Sequence, residues 1–261
     1  MHPEAFVIFG LSIKWYGVMA ALDFMAVMLL AQRNRKHADI SKEQVSDIIF
    51  VALIAGIIGA RGLYVIRFWN NQFANNWADI IRIDKGGQIF YGGFILATIA
   101  IIIYCKKKKL SVLRVLDILA PGVALGQAFG RIGCLMNGCC FGKTCDLPWG
   151  IKFPEGSMPW NKYSDALLHP VQIYESLENL ILAGILFFMI RFLKPGQTAA
   201  LFLTAYGVMR FLNEMFRGDH LAVDITSGFT PAQVKGLLLI PVGIIWFLIL
   251  QYKKKERHEN K

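Results

Sequence analysis

Charge is scarce in this sequence. Only 18% of its 261 residues are Asp, Glu, Lys or Arg, against about 25% in a soluble globular domain. Acidic residues are the scarcer sign, 18 against 28 Lys and Arg, which leaves a formal net charge of +10. In a soluble protein that excess would point to nucleic acid. Here the basic residues sit in short clusters between apolar runs, so they read as membrane-topology signals and no nucleic-acid partner is expected. Cysteine is also sparse, and five residues are too few for a disulfide scaffold. No polar stretch is long enough for a separate soluble domain, and there is no low-complexity segment or convincing internal repeat. The opening Met1-His2-Pro3-Glu4 lacks the basic start of a cleavable signal, and the first apolar run continues into a full span.

What is abundant is hydrophobicity: 55% of residues are apolar and the mean hydropathy is +0.46. Seven apolar segments approach the roughly 20 residues that cross a bilayer. They lie at about 12–31, 46–66, 88–105, 111–135, 171–190, 198–216 and 234–252. The expected fold is therefore an all-α, seven-span integral membrane protein forming a single polytopic domain over 1–261. The basic clusters orient it. Arg33, Arg35, Lys36 and Lys42, then Lys106 to Lys109 with Arg114, then Arg191 and Lys194, then the tail from Lys253, all fall on one side. The positive-inside rule makes that side the inner one, with the amino terminus outside and the carboxyl terminus inside.

This topology sets Arg61, Arg131 and Arg210 near the outer ends of their spans. Tyr16 opens the first span and Tyr91 lies in the first turn of the third, also outside. Arginine within a span is costly unless it meets a partner, a polar cavity or an anion. Arg131 is the one charge between Asp117 and Lys143. It sits in the stretch 126–145, GQAFGRIGCLMNGCCFGKTC, where an apolar helix gives way to a loop rich in glycine and cysteine. A guanidinium is a planar fork of donors that suits phosphate, so three of them at one depth are candidates to grip a phospholipid head group. The bland alternative is that each pairs with a carboxylate and orders the bundle; Arg210 and Glu214 have the i, i+4 spacing for that.

Two further stretches carry polar stripes. After His169-Pro170, with proline suited to a first helical position, Gln172, Glu175 and Asn179 share one face and Glu178 stands beside them. Later, Arg210, Asn213, Glu214 and Arg217 share another face. His169 reads either as an acid or base or as a helix-start residue. Cys134, Cys139, Cys140 and Cys145 have the spacing C-x4-C-C-x4-C, unlike the CxxC pairs usual in structural zinc sites. Small packing residues, a disulfide, or a thiolate made reactive by Arg131 all remain open for them.

Taken together these motifs resemble the bacterial prolipoprotein diacylglyceryl transferase family. The likeness rests on Trp15-Tyr16-Gly17, Gly92-Gly93, Gly130-Arg131-Ile132-Gly133, Asn137-Gly138, Gly142, His169-Pro170 with Gln172, Tyr174 and Glu175, and Tyr206-Gly207 with Arg210-Phe211, Glu214 and Arg217. It covers nearly the whole chain. The resemblance implies transfer of the diacylglyceryl group of phosphatidylglycerol to the thiol of a lipobox cysteine in a prolipoprotein, at the outer leaflet of a bacterial plasma membrane, with no metal or organic cofactor. It implies that Arg131 and Arg210 are the essential arginines. Tyr16, Arg61, Asn137, His169, Gln172, Glu175 and Glu214 would line the substrate chamber. This chain departs from the family's frequent pattern at three positions. Tyr91 stands where His is common, Cys134 where Asn is common and Cys139 where Glu is common, so Tyr91 and Cys139 become the candidates for the proton-handling role. Rival readings are a related membrane transferase with another acceptor, a transporter, which would carry polar residues through to the inner side, and a membrane thiol oxidoreductase using Cys139 and Cys140.

Overall fold

The computed structural model describes residues 4–8, 11–74, 77–82, 86–219 and 228–252. Helix dominates. The long helices are α1 (Trp15–Ala38), α2 (Lys42–Arg67), α3 (Phe90–Lys107), α4 (Val112–Asn137), α6 (Val171–Met189), α7 (Gln197–Glu214) and α8 (Pro231–Tyr252), with a short α5 (Met158–Tyr163) between α4 and α6. Each of the seven expected apolar segments coincides with one long helix. Five of these, α1, α2, α4, α6 and α8, are long and apolar enough to cross a membrane. The start of α2 is set locally: the Ser41 side chain accepts from the Gln44 N–H and the Gln44 side chain accepts from the Ser41 N–H, a reciprocal cap.

The amino-terminal stretch corrects the all-α expectation. Residues 12–14, read from the sequence as the start of a span, belong instead to a strand. This β2 (Leu11–Lys14) pairs antiparallel with β1 (Glu4–Ile8), with Glu4 opposite Lys14. Phe6 and Val7 in β1 and Ile13 in β2 suit a pleated ribbon better than a helix, and α1 begins only at Trp15.

By backbone contacts the chain forms two compact units, one of 1–37 with 116–261 and one of 38–115. In the second unit α2 and α3 pack backbone to backbone. A Cβ on Gly59 would lie 2.3 Å from the Gly92 carbonyl oxygen, and one on Gly92 would lie 2.3 Å from that of Gly59. Such proximity is the usual basis of close helix pairing in lipid, where hydrophobicity alone does not drive helices together.

In the first unit a cluster of Ala120, Ala124, Leu182, Ala183 and Leu186 packs α4 on α6, with Leu201, Phe202, Ala205 and Met209 of α7 against it. Asp117 of α4 accepts from the N–H groups of Gly196 (2.5 Å) and Ala199 (2.9 Å), so a buried carboxylate on one helix caps the next. Asp23, the deep charge of α1, lies against the backbone of α4 at Gly126, where any Cβ would collide with its carboxylate. The connection from α4 to α6 folds over a small core of Phe141, Phe153 and Leu168. It is laced to the end of α7 by the Lys143 N–H to Phe216 carbonyl (2.8 Å) and the Gly218 N–H to Phe141 carbonyl (2.9 Å).

Candidate active site

Three consecutive long helices of the first unit meet at one end. The carboxyl-terminal part of α4 brings Arg131, the amino-terminal half of α6 brings Gln172, Glu175 and Asn179, and the last turns of α7 bring Arg210, Asn213 and Glu214. The 3.6-residue period turns each polar stripe inward: Gln172, Glu175, Asn179, Asn213 and Glu214 are all buried. Around them the helices are apolar, so every one of these groups must find its partner inside the bundle.

Glu175 is the hub. Its Oε2 is 2.6 Å from Arg131 Nε, a close ionic contact whose N–H points off the line to the oxygen. Its Oε1 accepts from an Arg210 terminal nitrogen at 3.2 Å. The other terminal nitrogen of Arg210 reaches Glu214 at 3.0 Å, the i, i+4 pair that the spacing allows. Glu214 also accepts from the Thr230 hydroxyl (2.8 Å) and faces Arg217 at 3.8 Å. Arg217 in turn grips Asp219 with two hydrogen bonds, at 2.9 and 2.6 Å. Asn213 donates to Glu178 at 2.5 Å.

This network holds Arg131 by one edge only. Nε meets Glu175, while both terminal amino groups are without a partner among the described residues. Arg131, Glu175, Asn179, Tyr206, Met209, Arg210 and Asn213 line a small, partly open pocket. The buried Oδ1 of Asn179 also lacks a hydrogen bond there. A guanidinium aimed by a carboxylate, with its fork of donors unused at the wall of a pocket, has donor geometry that suits an anion.

Beside it, the end of α4 brings three thiols together. The Sγ atoms of Cys134, Cys139 and Cys140 all lie within 4.8 Å of one another, and none is in a disulfide. Hydrogen bonds from the thiols of Cys134 and Cys139, and next the guanidiniums of Arg217 and Arg131, pull the Cys140 thiol below the usual cysteine range. Gln172 donates to the Cys139 carbonyl at 2.8 Å, tying this turn to α6. Tyr16, exposed in the first turn of α1, is within electrostatic reach of all three cysteines. Asn137, exposed at the last position of α4, hydrogen-bonds Cys139. His169 lies a little apart, its Nδ1 3.3 Å from the Tyr174 hydroxyl, which accepts from the Trp149 indole at 2.8 Å.

Two expected site residues belong to the other unit. Arg61 is corrected to a structural role. Its guanidinium makes four hydrogen bonds to backbone carbonyls, to Ile80 (2.9 Å), Gly86 (2.5 Å), Gly87 (2.9 Å) and Asp79 (2.6 Å). The rings of Tyr64 and Phe73 stand 5.5 Å from it. An arginine so occupied holds a loop and has little left for a head group. Tyr91 is 48% exposed in the first turn of α3. Conversely, Asn179, Glu178, Asn213 and Arg217 belong to the network although only their stripes, and no role, were legible in the sequence.

A sequence model described as Prolipoprotein diacylglyceryl transferase matches residues 3–249. Among curated relatives, the phosphatidylglycerol–prolipoprotein diacylglyceryl transferase of Clostridium tetani (strain Massachusetts / E88) is 36% identical over 256 residues, 98% of this chain and 100% of its own. The protein of the same name from Finegoldia magna is 35% identical over 257 residues, 98% of this chain and 97% of its own. That from Pseudoalteromonas translucida is 35% identical over 259 residues, 97% and 94%. With the paired arginines, the shared glutamate and the glycine-rich end of α4 all falling inside the matched region, this chain belongs to the prolipoprotein diacylglyceryl transferase family.

Proposed function

We propose that this protein transfers the diacylglyceryl group of phosphatidylglycerol to the thiol of a lipobox cysteine. One observation carries the reading: Arg131 is oriented through Nε by Glu175 while its terminal amino groups stay unpartnered at the pocket wall. Those two groups match the spacing of two phosphate oxygens. In the reaction a sulfur–carbon bond forms, the bond between that glyceryl carbon and the phosphate oxygen breaks, and glycerol phosphate leaves. The lipid phosphodiester carries one negative charge and the leaving monoester approaches two. Donors fixed in advance where that charge grows lower the barrier. The thiol proton leaves with the phosphate, whose second pKa of about 6 lets it accept one near neutrality.

Glu175 keeps Arg131 and Arg210 side by side despite their like charge, and Glu214 holds Arg210 from behind. Tyr16, Asn137 and Cys139 line the approach at the end of α4, with Gln172 supporting Cys139. His169 belongs to the rim. Tyr91 remains a candidate for proton handling on the resemblance alone, as the counterpart of a histidine. The basic clusters support a single membrane domain with seven spans, amino terminus outside. In that topology the α4–α6–α7 pocket opens to the outer leaflet of the bacterial plasma membrane, where secreted precursors present their lipobox.

The test is purified protein in detergent or nanodiscs with phosphatidylglycerol and a synthetic lipobox peptide. The peptide should gain the mass of one diacylglyceryl group, and its Cys→Ser version should gain none. An unchanged peptide in the presence of folded protein would overturn the reading.

A further inference from the structure

The three-thiol cluster stands beside the anion pocket, and none of the bond-making steps above uses Cys134 or Cys140. We propose that Cys134, Cys139 and Cys140 form a binding site for one soft divalent cation of the zinc and cadmium class. The spacing C-x4-C-C argues against this in the sequence, because neighbouring cysteines on an extended chain point apart. The fold removes the objection. Cys134 projects from the last turn of α4. Gly138 and Cys140 then both adopt left-handed conformations, with φ of +69° and +60°, and the chain doubles back. The Cys139 N–H bonds the Cys134 carbonyl at 3.1 Å, and Gln172 clamps the turn through the Cys139 carbonyl. A non-glycine residue held at positive φ costs energy and persists only where its surroundings impose it.

The result is three sulfurs within 4.8 Å of one another. A zinc ion bound at about 2.3 Å to each sulfur would set them about 3.8–4.0 Å apart, so they need draw in by at most about an ångström. All three residues are half-buried, and so they are reachable yet sheltered. Loading displaces whatever thiol protons remain and gives a tris-thiolate complex with one net negative charge. Arg217 and Arg131 are close enough to interact with Cys140, and they supply the countercharge. Three protein ligands also leave a position open, as in zinc sites that keep a fourth site for water or a small ligand. Cys145, the fourth cysteine of the motif, is buried outside the cluster, and Cys105 is buried in the other unit.

The test uses the full-length protein in detergent, reduced, stripped of metal and titrated with Cd2+. A thiolate-to-cadmium charge-transfer band in the ultraviolet should saturate at one Cd2+ per chain and be displaced by Zn2+. Bound Cd2+ should protect Cys134, Cys139 and Cys140 of the unaltered protein from N-ethylmaleimide, as read by peptide mass. Cys139→Ser should weaken Cd2+ binding at least tenfold, while Cys105→Ser should leave it unchanged. The proposal is overturned by a non-saturating band, by unprotected cysteines at saturating Cd2+, by full affinity in a folded Cys139→Ser protein, or by a disulfide between any two of the three in freshly isolated protein. Because binding and protection are read without phosphatidylglycerol or peptide, failure here and failure of the transferase reading are separate results.

Discussion

Replacing Arg131 by lysine isolates what the guanidinium does beyond carrying charge. Arg131 uses Nε to meet Glu175 at 2.6 Å and keeps two terminal amino groups for the pocket. It can therefore hold its carboxylate and a phosphate at once through different nitrogens. A lysine has one nitrogen, which must serve both or choose. Arg131→Lys keeps the charge but forfeits one of two charge-assisted hydrogen bonds to the phosphate, each about 1.5–3 kcal/mol. At 1.4 kcal/mol per factor of ten, kcat/KM should fall roughly 10- to 150-fold. Arg131→Ala removes both bonds, about 3–6 kcal/mol together, and leaves Glu175 to Arg210 alone, so its loss should be roughly 150- to 20,000-fold. The assay is the rate of peptide mass gain at several phosphatidylglycerol concentrations, with thermal unfolding in detergent as the folding check. Arg114→Lys, an exposed arginine at the far end of the same helix, should change the rate less than twofold. If Arg131→Lys, folded, turned over within threefold of the unaltered enzyme, the idea of a divided guanidinium would be wrong.

Glu175→Gln should reduce thermal stability and turnover together. It leaves two guanidiniums sharing a buried site without their carboxylate, a defect that costs about 3–5 kcal/mol when a buried pair is broken; an unchanged unfolding temperature would show that Glu175 is not the hub. Arg61→Ala should expose the backbone at Asp79, Ile80, Gly86 and Gly87 to proteolysis, while turnover falls far less than in Arg131→Ala; the reverse ranking would restore Arg61 to the lipid site. Gly59→Val should abolish folded yield on size-exclusion chromatography, because its side chain would enter the space of the Gly92 carbonyl, 2.3 Å from where a Cβ would sit. Asp117→Asn should lower stability by about 1–3 kcal/mol with little effect on KM, because Asp117 caps α7 far from the pocket; a raised KM with unchanged stability would contradict that role.

Much of this molecule can be read from residue order alone, because a bilayer forces apolar stretches into helices. Each apolar segment became a long helix, and the i, i+4 pair Arg210–Glu214 and the α6 stripe follow from helical period. What could not be read are the links between helices. Nothing in the spacing couples Glu175 to Arg131 forty-four positions earlier, since that contact depends on how α4 packs on α6. Arg61 misled because a buried arginine in a span invites an anion, whereas a loop closing back over it supplied four carbonyls instead. The cysteine cluster was hidden by a backbone event, the left-handed turn at Gly138 and Cys140, for which C-x4-C-C has no signature. Residues 12–14 of β2 were absorbed into the first span because they run without a break into the helix that follows.

The most direct measurement is an experimental structure of the protein with phosphatidylglycerol bound. The lipid phosphate should lie in the α4–α6–α7 pocket, with two of its oxygens within hydrogen-bond distance of the terminal amino groups of Arg131 and Nε still against Glu175. A phosphate bound elsewhere, or an Arg131 that leaves Glu175 to point away from the lipid, would contradict this arrangement.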